Sequence, residues 1–145
     1  MSDHVNTTFT PEQILESAQG NVNHLCLVMV AYLKEHNLSL NEFWSFVGRI
    51  SVPTWGQGLS TTDVALGAAI NMVSGGCELR ASSGDESKAE VVLGGWPSGE
   101  SLEFYGLTQQ EADSVWGIFG PIAESQGYDY EWHRQGDHVT MTFTR

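Results

Sequence analysis

Positive charge is scarce: the 145 residues hold six Lys plus Arg against eighteen Asp plus Glu, a formal net charge of −12. Such a surface repels phosphate backbones and anionic headgroups, which argues against nucleic-acid and membrane-surface roles. Long apolar runs are missing too. The longest near-continuous one, Leu25 to Leu33, falls well short of the ~20 residues that span a bilayer. The opening MSDHVNTTFT has no basic patch followed by an apolar stretch and does not read as a secretory signal, so a cytoplasmic address is expected. Only two cysteines occur, Cys26 and Cys77, with no Cys-x-x-Cys pair. That excludes a disulfide scaffold, though a single bridge stays open. Cys26 sits among Leu25, Leu27 and Val28, where a thiol acts as a small hydrophobe. Also absent are a Gly-x-Ser-x-Gly elbow, a phosphate loop, a dinucleotide fingerprint and a His-Glu-x-x-His zinc motif.

What remains is a chain with 41% hydrophobic and 17% charged residues, enough to bury the core of one domain spanning 1–145, with 1–9 as a flexible arm. Helix starts are well marked. Thr10-Pro11-Glu12-Gln13, Ser39-Leu40-Asn41-Glu42 and Thr108-Gln109-Gln110-Glu111 have the form of capping boxes, and Ser60-Thr61-Thr62-Asp63 is a weaker start. Asn37, Gly75-Gly76 and Gly127 are stops. Helices are expected over 11–36, 40–50, 61–74 and 109–126, with Gly20 able to interrupt the first and Gly120-Pro121 dividing the last. From Leu25 to Leu33 the first helix is apolar on every side, so it either runs through the centre of the domain or meets another subunit. The central position needs no partner and is the simpler expectation.

Strands follow. Glu78 to Ser82 and Ser87 to Leu93 flank the turn Ser83-Gly84-Asp85-Glu86, with Arg80 able to meet Glu90. Gly94 to Gly99 reads as a loop and Ser101 to Tyr105 as a short strand or extended link. A hairpin over Tyr128 to Phe143 closes the chain. The sum is an α+β fold: N-terminal helices packed on an antiparallel sheet made of two hairpins separated by a helix.

The last hairpin carries the first set of candidate site residues. A turn at Gln135-Gly136 pairs Arg134 with Asp137 and His133 with His138. Tyr128, Tyr130, Trp132, Val139, Met141 and Phe143 then share an apolar face, and Asp129, Glu131, His133, His138, Thr140 and Thr142 share the other. Two imidazoles beside carboxylates could bind a divalent metal or, as Glu131, His133 and His138, do acid–base catalysis. The plainer account is a solvated sheet face, and without a third ligand in defined geometry no metal is assigned. Asn23-His24 is read as helix surface or core.

Aromatics give the second set. Five tryptophans are many for this length, and Trp55 and Trp96 lie in the Gly/Pro-rich stretches Pro53-Thr54-Trp55-Gly56 and Gly95-Trp96-Pro97. Rings of that size fold back onto apolar surface, capping core edges or lining a pocket between helices and sheet. Trp116 and Phe119 would form its floor and Tyr105 its rim.

A fourth helix with Gly117 and Gly120, then a hairpin turning at Gly136-Asp137 and ending in Phe143, resembles the vinyl-reductase-type small-molecule-binding domains. These are related to subunits of the Golgi transport particle and to haem-based nitric-oxide sensors. Motif content is confined to this closing part; the rest is similarity of element order. Those domains often carry cysteines around the Gly-Asp hairpin, and this hairpin has none. The Tyr-x-Ser-x-Arg haem signature is absent as well, so no haem or other cofactor is carried over. The resemblance implies a dimer-forming, pocket-bearing binding domain.

Three functions are therefore expected in order. The first is a ligand-binding domain that holds an apolar or aromatic small molecule and forms a homodimer. The second is a compact hydrolase, isomerase or cyclase using the His/Glu groups. The third is an acidic interaction module for a basic protein.

Overall fold

The computed structural model describes residues 8–145; the first seven residues of the proposed flexible arm lie outside the described part. Helix α1 (Pro11–Glu35) starts at Thr10, whose hydroxyl accepts from the Gln13 amide while the Gln13 side chain accepts from the Thr10 N–H. It runs unbroken through Gly20 and stops at Asn37, which takes the left-handed conformation at φ 54°. Helix α2 (Leu40–Ser51) is capped by Ser39, and a 3-10 turn (Val52–Thr54) follows it. Helix α3 (Thr61–Ser74) begins with a full reciprocal cap between Ser60 and Asp63.

Strands β1 (Glu78–Gly84) and β2 (Lys88–Gly94) form the first hairpin. The segment read as an extended link is instead helix α4 (Gly99–Tyr105), capped by the Ser98 hydroxyl and ended by Gly106 at φ 66°. The single fourth helix is also subdivided. Helix α5 (Gln109–Asp113) gives way to a 3-10 turn (Ser114–Ile118) before α6 (Phe119–Ser125). Pro121 explains the early break: it has no N–H for the Gly117 carbonyl, and its ring crowds that carbonyl, so the preceding turn tightens. Strands β3 (Asp129–Gln135) and β4 (His138–Thr144) complete an antiparallel sheet of order β1-β2-β4-β3.

The expected α+β architecture is present, with the two hairpins joined through β2 and β4 at the sheet centre. Its inner face carries Ala89, Val91, Leu93, Val139, Met141 and Phe143, all buried. Against it lies α3 with Val64, Ala65, Ala68 and Ala69, whose small side chains let helix and sheet approach closely. The outer face is polar, as a one-sided antiparallel sheet requires.

Two registers differ from the sequence reading. In the last hairpin the turn is Gly136-Asp137, so Gln135 faces His138, and His133 faces Thr140 rather than His138. The shift is two residues, so the inner and outer sets of side chains are unchanged. In the first hairpin a bulge between Leu79 and Ala81 turns Arg80 out of the ladder. Arg80 then bridges to Asp137 at 2.8 Å instead of meeting Glu90.

Helix α1 is not central. Leu27, Val30 and Leu33 are buried, while Leu25, Val28, Met29 and Tyr32 stay open to solvent. No helix among the described residues is long and apolar enough to cross a membrane.

Candidate ligand-binding cavity

On the helical side of the sheet lies a cavity of about 400 Å³. Helix α1 supplies Val22, Asn23, Cys26 and Met29, spaced so that they fall along one side of the helix. Helix α2 supplies Trp44, Val47 and Ser51 at i, i+3 and i+7, and its 3-10 extension adds Thr54 and Trp55. Asn71, Met72 and Gly75 close it from the end of α3, and Trp96 from the loop after β2. The broken fourth helix contributes Val115, Ile118, Phe119 and Ile122. None of these residues carries a charge at neutral pH. Cys26 is the one titratable group among them, and burial pushes its thiol up to about 12.

Each large aromatic is fixed by a hydrogen bond or a close contact. Trp96 donates its indole N–H to Asn23 Oδ1 at 2.7 Å and meets Trp116 edge-on at 6.0 Å. Trp44 donates to the Ser114 hydroxyl at 3.1 Å. Trp55 stands edge-on to Phe119, over Gly67 of α3; a Cβ at Gly67 would lie 2.6 Å from the Trp55 ring. Asn23 Oδ1 is occupied by Trp96, and among the described residues the Asn23 amide N–H₂ has no hydrogen-bond partner; Asn23 lines the cavity. Cys77 is also buried, its thiol raised to about 12 by desolvation, and both thiols are free.

Behind Trp96 lies a charge pair that sequence reasoning missed. Arg134 grips Asp113 with two hydrogen bonds, Nε to Oδ2 at 2.6 Å and Nη2 to Oδ1 at 2.7 Å. Asp113 also accepts from Trp116 Nε1 and Gln109 Nε2, and Arg134 Nη2 donates to the Trp96 carbonyl at 3.0 Å. A planar guanidinium bidentate on one carboxylate is the strongest form of such a pair. It ties β3 to α5 and the Trp96 loop to both. The expected Arg134–Asp137 pairing does not form: the register sets Arg134 opposite Val139 and leaves Asp137 in the turn, where Arg80 binds it. The available signal was parity: Arg134 follows Tyr130 and Trp132 on the inward face of β3.

The proposed pocket residues therefore divide. Trp55, Trp96 and Phe119 line the cavity. Trp116 is buried behind Trp96 and does not reach it. Tyr105 hydrogen-bonds His24 on α1 and lies outside it. Glu131, His133 and His138 are on the outer sheet face, with His133 and His138 diagonal across the strands. Among the described residues no group of three His, Cys, Asp or Glu could hold a metal ion. No protein-family model matches the sequence, and no curated protein matches it.

Proposed function

We propose that the protein is a binding domain for a neutral, largely apolar or aromatic small molecule held in this cavity, and that it works as a homodimer. The observation that carries the reading is the lining: four tryptophan and phenylalanine side chains, aliphatic and sulfur-bearing groups, and no charge. The volume falls in the ~300–1,000 Å³ range of small-molecule sites, where a few polar groups set orientation within apolar walls. Asn23 is the polar group suited to that task, since its N–H₂, without a partner among the described residues, can donate to a carbonyl or hydroxyl oxygen of the ligand. A charged ligand would lose hydration with no counter-charge to replace it. The resemblance to vinyl-reductase-type binding domains points the same way.

Thermal unfolding with matched aromatics tests the charge rule. Naphthalene and 2-naphthol should raise Tm by several degrees, since a ligand at 100 times its Kd adds about 2.7 kcal/mol. Naphthoate and naphthylmethylammonium, of similar shape, should leave it unchanged. Equal stabilisation by the charged pair, or none by the neutral pair, would overturn the reading.

A further inference from the structure

The exposed side of α1 is patterned. Ile14, Ala18, Asn21, Leu25, Val28 and Tyr32 follow one another in steps of four and three, and every one is exposed. That is the seam of a heptad repeat, uncharged throughout, with Asn21 as its one polar member. The first turns have no cover either: each residue from Pro11 to Ala18 is exposed. A helix with so little tertiary packing along one half is marginal in water on its own. Together with the flanking Leu15, Val22 and Met29, the large apolar side chains of this face offer on the order of 700 Å² of accessible surface, close to the ~800 Å² that each partner brings to a standard-size interface. Because a two-fold contact uses the same patch on both copies, a stripe of this kind is complementary to itself.

The seam and the cavity meet. Val22 and Met29 each follow a seam residue by one position, so they flank the stripe, and both also line the cavity while remaining partly exposed. The mouth therefore opens along the edge of the surface a partner helix would occupy. Two helices packed with axes ~8–10 Å apart cover each other's flanking positions as well as the seam. Phe46 and Ile50 of α2, exposed beside the cavity-lining Val47 and Ser51, extend the apolar rim on the other side.

We infer that α1 of a second copy of this chain closes the mouth of the cavity, so that ligand binding and dimerisation form one coupled equilibrium. The inference rests on the ligand-binding reading above and adds that the site is complete only in the dimer. Coupling of this kind is reciprocal: whatever factor the dimer adds to ligand affinity, the ligand adds to dimer affinity.

The test uses the full chain, N-phenyl-1-naphthylamine as a neutral fluorescent probe, and Leu25→Glu, which charges the seam without touching the cavity lining. Tyr32→Glu serves as a second variant, and circular dichroism reports whether each remains folded. Sedimentation should show a wild-type dimer that the probe tightens and folded monomers for both variants. Probe affinity should fall about tenfold or more in the variants, within the usual span of coupled sites. Unchanged affinity in the folded monomers would overturn the closure and leave the ligand reading intact, as would a wild-type chain that stays monomeric when saturated with probe. A wild-type dimer that does not bind the probe would overturn both.

Discussion

Asp113 and Arg134 meet across the join between helix and sheet, and removing one exposes how much the other depends on it. The carboxylate is almost fully buried and accepts from four donor groups. Asp113→Ala leaves a largely buried guanidinium without its counter-charge, which costs about 3–5 kcal/mol in buried pairs. The double variant Asp113→Ala with Arg134→Met should recover a good part of that loss in urea unfolding. If the single variant lost less than about 1 kcal/mol, the pair would be a surface-type contact. The two thiols make a separate prediction. Both are raised from 9.0 to about 12 by burial, so between pH ~9 and ~12 the unfolded chain releases protons that the folded chain retains. Stability should therefore be unaffected below pH ~9 and decline as pH rises through that window. Tyr130, also raised by burial, acts in the same direction. Cys26→Ala with Cys77→Ala should flatten the alkaline limb of the Tm–pH curve. At this scale the sequence was only partly legible: Arg134 had a charged neighbour at Asp137, and nothing local showed that Asp113, on another element, would be the partner.

Helix α2 lies against the broken fourth helix at one glycine. A Cβ on Gly48 would stand 2.2 Å from the Ile118 carbonyl oxygen and 3.1 Å from the Pro121 ring. Backbone cannot yield as a flexible side chain does, so Gly48→Ala should cost about 1–3 kcal/mol despite alanine's better helix propensity. Thermal melts will check this; a stabilised variant would mean the two helices separate freely. Element starts were legible because caps are local chemistry: Thr10, Ser39, Ser60 and Thr108 each open the helix their residues announce. Element interiors were less so. The short α4 has too few residues to display helical periodicity, and the 3-10 turn before Pro121 is a steric effect reaching back four residues. The hairpin register was displaced because an attractive charge match favoured one two-residue turn over its neighbour, while side-chain parity kept the faces correct.

The molecule as a whole has two unlike sides. The outer sheet face is polar and carries Glu131, His133 and His138; the helical side holds the cavity and the exposed seam of α1. Most of the few cations are already engaged, Lys34 with Glu111, Arg80 with Glu78 and Asp137, Lys88 with Glu90, and Arg134 with Asp113. The acidic surplus is thus left at the surface, while the cavity is neutral. Sequence patterning gave the two-layer plan, since it depends on periodicity within each element. Of its five aromatic lining candidates three line the cavity, and it named none of the polar ones, because the lining is assembled from four helices, two turns and a loop distant along the chain. The central claim, a neutral apolar site among α1, α2 and α3, is tested most directly by fluorescence titration of N-phenyl-1-naphthylamine into the wild-type chain and into Val47→Trp, which fills the cavity from α2. The account predicts saturable binding of one probe per chain in the wild type and its loss in the folded variant. Absence of saturable binding in the wild type, or equal binding in the filled variant, would contradict it.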